Sequence, residues 1–211
     1  MKLTRRVRSI LQIFVVFLVI FESGAYVAVT PRPHESFMEL YALGATRSAY
    51  DYYPNNSTYI QVNETVRWYL GTVNEMGSIQ LVDIRVRLGS PTTQAPNDTL
   101  ATPSSAPLIA EYKRFILDNE TWEMPFVWQI LNFTKLSNGY SQLESLKINN
   151  VTYLLQDGPT CLVSTSCSFR FIIELWTWNV ESAEYQIGWL SENEHRIAWL
   201  QLWFKPVPGV P

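Results

Sequence analysis

From residue 37 onward the chain reads as short runs of Val, Ile, Phe, Tyr, Trp and Thr broken by Gly, Pro and Asn, the punctuation of consecutive β-strands. Residues 79–88 carry the clearest signal. Val82, Ile84, Val86 and Leu88 fall on one face and Asp83, Arg85 and Arg87 on the other, the alternation expected of a strand packed on one side and wet on the other. Further strands are expected over residues 37–44, 65–73, 108–117, 122–133 and 145–155, the last interrupted at Asn149-Asn150, with a Tyr/Pro/Asn turn region over 50–59. Residues 169–180 and 195–205 differ, because nearly every position is apolar. Each predicts a strand buried on both faces, or one with a face docked against something. Within them Trp176 and Trp178 share a face, as do Trp199 and Trp203. Residues 89–107 hold four Pro, seven Ser and Thr and no aromatic, which predicts a long mobile connection: a tolerated surface insertion, with an O-glycosylated patch as the alternative. About seven to nine strands in roughly 170 residues predict an antiparallel β-sandwich.

The first 29 residues break this pattern. Lys2, Arg5, Arg6 and Arg8 precede a run over residues 10–21 that is apolar at every position but Gln12. A basic cap before such a run holds the N-terminus inside and sends the rest of the chain across a membrane. Residues 10–29 number 20, and at about 1.5 Å per residue they reach one hydrocarbon thickness as a transmembrane helix. Glu22-Ser23-Gly24 interrupts the span, and Ser23-Gly24-Ala25 supplies small residues at signal-cleavage spacing. Anchor and cleaved signal, with release near Ala25, therefore both stay open. Either exports the remainder. The expected organisation is a basic cap (1–9), a membrane segment (10–29), a Pro-containing spacer (30–36), a sandwich (37–207) and a tail (208–211).

Composition sharpens this picture. Only 17% of the residues are charged while 14% are aromatic, which excludes disorder for most of the chain. With four basic residues and one acidic in residues 1–29, the remainder holds 12 basic against 18 acidic side chains, a net charge of -6 with no basic stripe, which argues against nucleic acid as a partner. Asn-x-Ser/Thr occurs at Asn55, Asn56, Asn63, Asn97, Asn119, Asn132 and Asn150. Twelve Asn among 33 Ser and Thr in 211 residues give about two such triplets by chance, so dense N-glycosylation is expected, with one of the overlapping Asn55 and Asn56 used. None follows Asn150, which leaves the late strands free of glycan. Cys161 and Cys167, the two cysteines present, are spaced for a small disulfide loop in an oxidising compartment.

Groups for catalysis are sparse. The two histidines are His34, in the spacer, and His195, in Glu192-Asn193-Glu194-His195, where adjacent residues point apart and no second His completes a metal set. No nucleophile elbow, phosphate-binding loop, dinucleotide fingerprint or zinc-protease motif occurs. No cofactor, metal site or catalytic residue is therefore expected. Two rival readings remain: a carbohydrate-binding module using Trp176, Trp178, Trp199 or Trp203, and an envelope hydrolase built on a carboxylate pair.

Four segments carry a resemblance. They are Phe37-Met38-Glu39-Leu40-Tyr41-Ala42-Leu43-Gly44, then Thr65-Val66-x-Trp68-x-Leu70-Gly71-x-Val73-Asn74, then Leu117-Asp118-Asn119-Glu120-Thr121-Trp122-Glu123-x-Pro125-Phe126, and a closing His195-Arg196-x-x-x-Leu200-x-Leu202-Trp203. Together they resemble the extracytoplasmic part of an archaeal membrane-protein family, domain of unknown function 1616. Many members carry several membrane helices where this chain offers one, and the Pro/Ser/Thr insertion and the cysteine loop are particular to this sequence. The resemblance implies an archaeal envelope protein with an immunoglobulin-like sandwich outside the membrane and favours the retained anchor; it brings no activity. The expectation is a single-pass glycoprotein with its N-terminus cytoplasmic, the bilayer as one partner through residues 10–29, and surface-layer or other envelope proteins as further partners.

Overall fold

The computed structural model describes residues 12, 14–22, 26, 36–156, 158–162, 167–191 and 194–207. The chain divides into two compact units, Met1–Glu35 and Ser36–Pro211. In the first, residues 14–22 are helical, with exposed Phe, Val, Leu and Ile side chains. Among the described residues no helix is long and apolar enough to cross a membrane. The expected span 10–29 lies partly outside the described residues; the cap 1–9, spacer residues 30–35, His34 and the tail 208–211 lie wholly outside them.

The second unit is a β-sandwich. Its strands are β1 (Phe37–Leu43), β2 (Tyr59–Gln61), β3 (Val66–Glu75), β4 (Gln80–Gly89), β5 (Leu108–Ile116), β6 (Thr121–Lys135) and β7 (Tyr140–Ile148). They continue with β8 (Val151–Leu154), β9 (Thr160–Leu162), β10 (Phe169–Asn179), β11 (Glu184–Ile187), β12 (Trp189–Ser191), β13 (Glu194–Arg196) and β14 (Trp199–Val207). The first sheet runs β1-β3-β6-β7-β8, with β9 also on β7; the second runs β2-β14-β10-β4-β5, with β11 also on β10; β12 and β13 form a small hairpin. Neighbours pair antiparallel except β2 and β14, which run parallel with Ile60 opposite Pro206.

Val82, Ile84, Val86 and Leu88 are fully buried between the sheets, as the alternation of β4 predicts. Opposite them Phe171, Ile173 and Leu175 of β10 point the same way. The inter-sheet core is aromatic at its centre. Trp68 stacks on Phe126 at 5.9 Å and meets Phe171 of the facing sheet edge-on at 5.6 Å; Trp128 meets Phe171 at 5.0 Å and Phe204 at 4.8 Å. Such pairs add roughly 0.5–1.5 kcal/mol each beyond the area they bury. Two polar residues of β3, Thr72 and Asn74, are fully buried with this core, and Asn74 carries the hydrogen bonds. Fully buried at the end of β3, it donates from Nδ2 to the carbonyls of Ser78, Ile116 and Leu117 and accepts from the Met76 amide, tying the β3–β4 turn to the end of β5.

Two expectations need correction. The outer face of β4 is not wet along its length, since Asp83 is fully buried and Arg85 and Arg87 are mostly covered. Residues 89–107 are not a free connection but a strap across the outer face of the second sheet, with Ser90, Ser104 and Ala106 buried. Polar groups of the sheet hold it: Arg87 Nη1 donates to the Ala106 carbonyl at 2.8 Å, the Ser104 amide donates to Glu174 Oε1 at 2.7 Å, and Arg170 Nη2 donates to the Thr93 carbonyl. The strap is what docks on β10, a strand the sequence marks as apolar on both sides.

Candidate functional site

The outer face of the second sheet collects the residues singled out in the sequence. Register places Trp199 opposite Glu174 and Trp203 opposite Arg170, so both pairs of tryptophans stand on one face, and it is the face turned away from the core. Three of the four are already occupied. Trp176 is 9% exposed, donates from Nε1 to Glu174 Oε2 at 2.9 Å, and lies under the Arg85 guanidinium, 3.9 Å from its ring centroid. Trp199 donates from Nε1 to Asp98 of the strap at 2.8 Å. Trp203 has the Arg170 guanidinium 4.8 Å from its ring centroid. Trp178 alone projects without cover, 36% exposed, with the Tyr185 ring edge-on at 5.1 Å.

Beside them is a ladder of opposite charges. Asp83 stands across from Lys113 and Arg85 across from Glu111. Arg85 Nε donates to Asp83 Oδ2 at 2.8 Å, and the Lys113 ammonium lies 2.7 Å from Glu111 and 3.9 Å from Asp83. Burial pushes the Asp83 carboxyl up, against the pull of Arg85, and leaves its Oδ1 without a hydrogen bond. Lys113, hydrogen-bonded to Glu111, holds that carboxyl below its ordinary range. A carboxyl raised by folding binds its proton more tightly folded than unfolded, so its ionisation lowers stability as pH climbs above its ordinary 3.8. Asp83→Asn removes that loss. Calorimetric Tm values are expected to move in the variant's favour, relative to the parent, between acid and neutral pH; a gap that does not change with pH would contradict this role.

For a hydrolase the arrangement is unfavourable. Asp83 is fully buried, and cations lie between it and Glu111, so these carboxylates neutralise neighbours instead of facing a substrate. Among the described residues no group of three or more His, Cys, Asp and Glu could hold a metal ion. His195 is exposed on β13, its Nε2 donating to the Ile187 carbonyl at 2.6 Å; Glu192 and Asn193 lie outside the described residues.

Cys161 of β9 and Cys167 are joined as a disulfide, Cα to Cα 5.0 Å, around residues 163–166, which lie outside the described set. The pair borders an open groove of about 740 Å³ together with Tyr140, Trp203, Lys205 and Pro91. Among the described residues no carboxylate lines it. The sequence gives no hint of this groove, because its walls come from β7, β9, β14 and the strap, which only register and the strap's path bring together.

The sequon asparagines sit where the chain turns or runs along the surface. Asn55, Asn56, Asn63, Asn119, Asn132 and Asn150 are exposed, and Asn97 is half-buried in the strap. Five of them, Asn55, Asn56, Asn63, Asn119 and Asn150, adopt positive φ, the left-handed turn conformation that Asn tolerates better than most residues. At Asn119 and Asn150 the Thr two residues on lies in the strand that follows.

No protein-family model and no curated protein matches the chain. Among solved structures it is similar to the CARDB domain of a Pyrococcus furiosus protein crystallised with di-metal ions, at 10% identity and a TM-score of 0.38, over 85% of this chain and 100% of that one. It is also similar to a β-glucosidase from Listeria innocua in complex with glucose, at 10% identity and a TM-score of 0.39, over 83% of this chain and 17% of the glucosidase. Likenesses this distant carry no argument about function.

Proposed function

We propose that the chain is a membrane-anchored, glycosylated cell-envelope protein, related to the domain-of-unknown-function-1616 family, whose immunoglobulin-like sandwich acts outside the cell as a structural or interaction module. The observation that carries the reading is the placement of the sequons. Seven acceptors stand on turns, strand edges and the strap, outside the buried core, six of them exposed, which is what attachment of a bulky glycan demands. The disulfide agrees with an oxidising compartment. The basic cap and apolar run supply the anchor and its orientation. Intact-mass measurement with glycan mapping on native membranes tests it. The expected result is a chain that retains residues 1–29 and carries sugars at several of the seven sites; an unmodified soluble chain beginning near residue 26 would overturn the reading.

A carbohydrate-binding role keeps one specific observation in its favour: Trp178, on a sequon-free strand, is exposed beside the Tyr185 ring. Loss of retention on immobilised envelope glycans in Trp178→Ala, with Trp199→Ala unchanged, would move the assignment there.

A further inference from the structure

Beyond Trp178 the outer face of the second sheet presents a run of exposed apolar side chains. Leu81 of β4 pairs with Phe115 of β5, and Trp178 stands one step past the Thr177–Val82 pair of β10, so the three share a row and a face. One row further out, with the same side-chain parity, come Ile79, Leu117 and Val180. Val180 is 83% exposed, Phe115 66% exposed, and Ile79 and Leu117 more than half exposed. Soluble monomers rarely leave a contiguous patch of this kind uncovered unless something binds it.

The patch lies at one particular end of the sandwich. Phe37, the first residue of β1, pairs with Glu75 at the end of β3, immediately before the turn that leads to Ile79. The polypeptide therefore enters the sandwich at the end that carries the patch. Residues 30–36, the tether between the apolar segment and the first strand, reach at most about 25 Å even fully extended.

We propose that this apolar end rests in the boundary layer of the bilayer, with Phe115, Leu117, Ile79, Trp178 and Val180 inserted among the headgroups and upper acyl chains. The inference rests on the anchored reading above and adds a docked orientation to it. Aliphatic and aromatic side chains at a membrane-proximal tip suit that layer, where Trp sits preferentially and apolar faces bury about 5–10 Å deep. The rim argues against other occupants. Asp118 and Glu181, next to Leu117 and Val180, and Glu184, opposite Asn179, border the patch, so a second copy would bring one acidic rim against another, whereas a neutral headgroup surface meets no such repulsion. Ile79, Leu117 and Val180 offer a sugar nothing to hydrogen-bond. Docking is thus driven by apolar burial, independent of anionic lipid.

The test uses the full chain reconstituted in phosphatidylcholine vesicles, nitroxide-labelled at Val180→Cys or at Ile79→Cys, with Ser137→Cys in the β6–β7 turn as the distant control. In the disulfide-bonded protein each added thiol is the only free one. The expected result is labels at 180 and 79 that are accessible to oxygen and shielded from a water-soluble nickel relaxant, a control with the opposite behaviour, and no change between low and high salt. Labels at 180 and 79 as nickel-accessible as the control, in a chain that stays with the vesicles at alkaline pH, would overturn the docked orientation and leave the anchor standing. Spin–spin broadening at 180 that disappears on dilution with unlabelled chain would assign the patch to a second copy instead. A chain that leaves the vesicles overturns the anchored reading and the inference with it.

Discussion

Glu174→Ala is expected to cost the sandwich about 3–5 kcal/mol, the usual result of removing one member of a buried ion pair. Glu174 is fully buried, and its two oxygens serve three donors: Arg87 Nε at 2.9 Å, Trp176 Nε1 at 2.9 Å and the Ser104 amide at 2.7 Å. Truncation strands all three, and the Arg87 guanidinium keeps its charge in a place that water barely reaches. In a unit of this size the drop corresponds to roughly 6–20 °C in Tm. It also releases the strap, for which the Ser104 amide is one of the few anchors, so limited proteolysis is expected to cut the variant within residues 89–107 while the parent resists. Glu174→Gln, which keeps an acceptor at each oxygen position but one, should fall between the two. A variant with an unchanged Tm and an uncut strap would show that the strap is held by something other than this carboxylate.

Trp68→Ala is the second large effect, about 3–5 kcal/mol. Trp68 is fully buried and its ring touches Tyr53, Phe126, Trp128 and Phe171, so deletion opens a hole at the junction of both sheets. Its Nε1 donates to the Tyr52 carbonyl at 2.5 Å, a bond that also pins the segment between β1 and β2, and the orphaned carbonyl adds to the loss. Trp178→Ala supplies the contrast. Its ring is partly in water and its aromatic neighbour is Tyr185, so a loss well below that of Trp68→Ala, about 1 kcal/mol or less, is expected by denaturant titration. Equal losses for the two variants would mean that the inter-sheet cluster is not the centre of the core.

A period of two carries information about single strands and little beyond them, and this fold shows both sides of that limit. The alternation in β4 and the pairing of Trp176 with Trp178 and of Trp199 with Trp203 are properties of single strands, and the structure has them. That the two tryptophan pairs share one face is a matter of register between β10 and β14, which no single-strand pattern encodes. The double-sided apolar character of β10 demands a cover on each side, and each side has one. It does not reveal that one cover is residues 89–107, because the strap binds through the Ser104 amide and the carbonyls of Thr93 and Ala106, groups that every residue possesses and composition does not record. Burial of Asp83 is hidden for a related reason. A lone carboxylate in an alternating strand reads as solvated until the arginine beside it is seen lying across Trp176. The turn asparagines stand out in the sequence for the triplet they begin, and their positive φ is a second reason for the same residue type.

The sheet order has a bearing on how the chain matures. The central strand of the second sheet, β10, and its neighbour β14 come last in the sequence, yet Phe171 lies opposite Leu88 and Lys205 opposite Tyr59. A chain emerging N-terminus first therefore holds Trp68, Phe126 and Trp128 without their aromatic partners in the facing sheet until Phe171 and Phe204 arrive. Contacts of such long sequence separation close slowly, because loop entropy is lost before any ring is buried. All seven sequon asparagines precede Phe171 in the chain, so each of them is made before the last two strands of the core arrive.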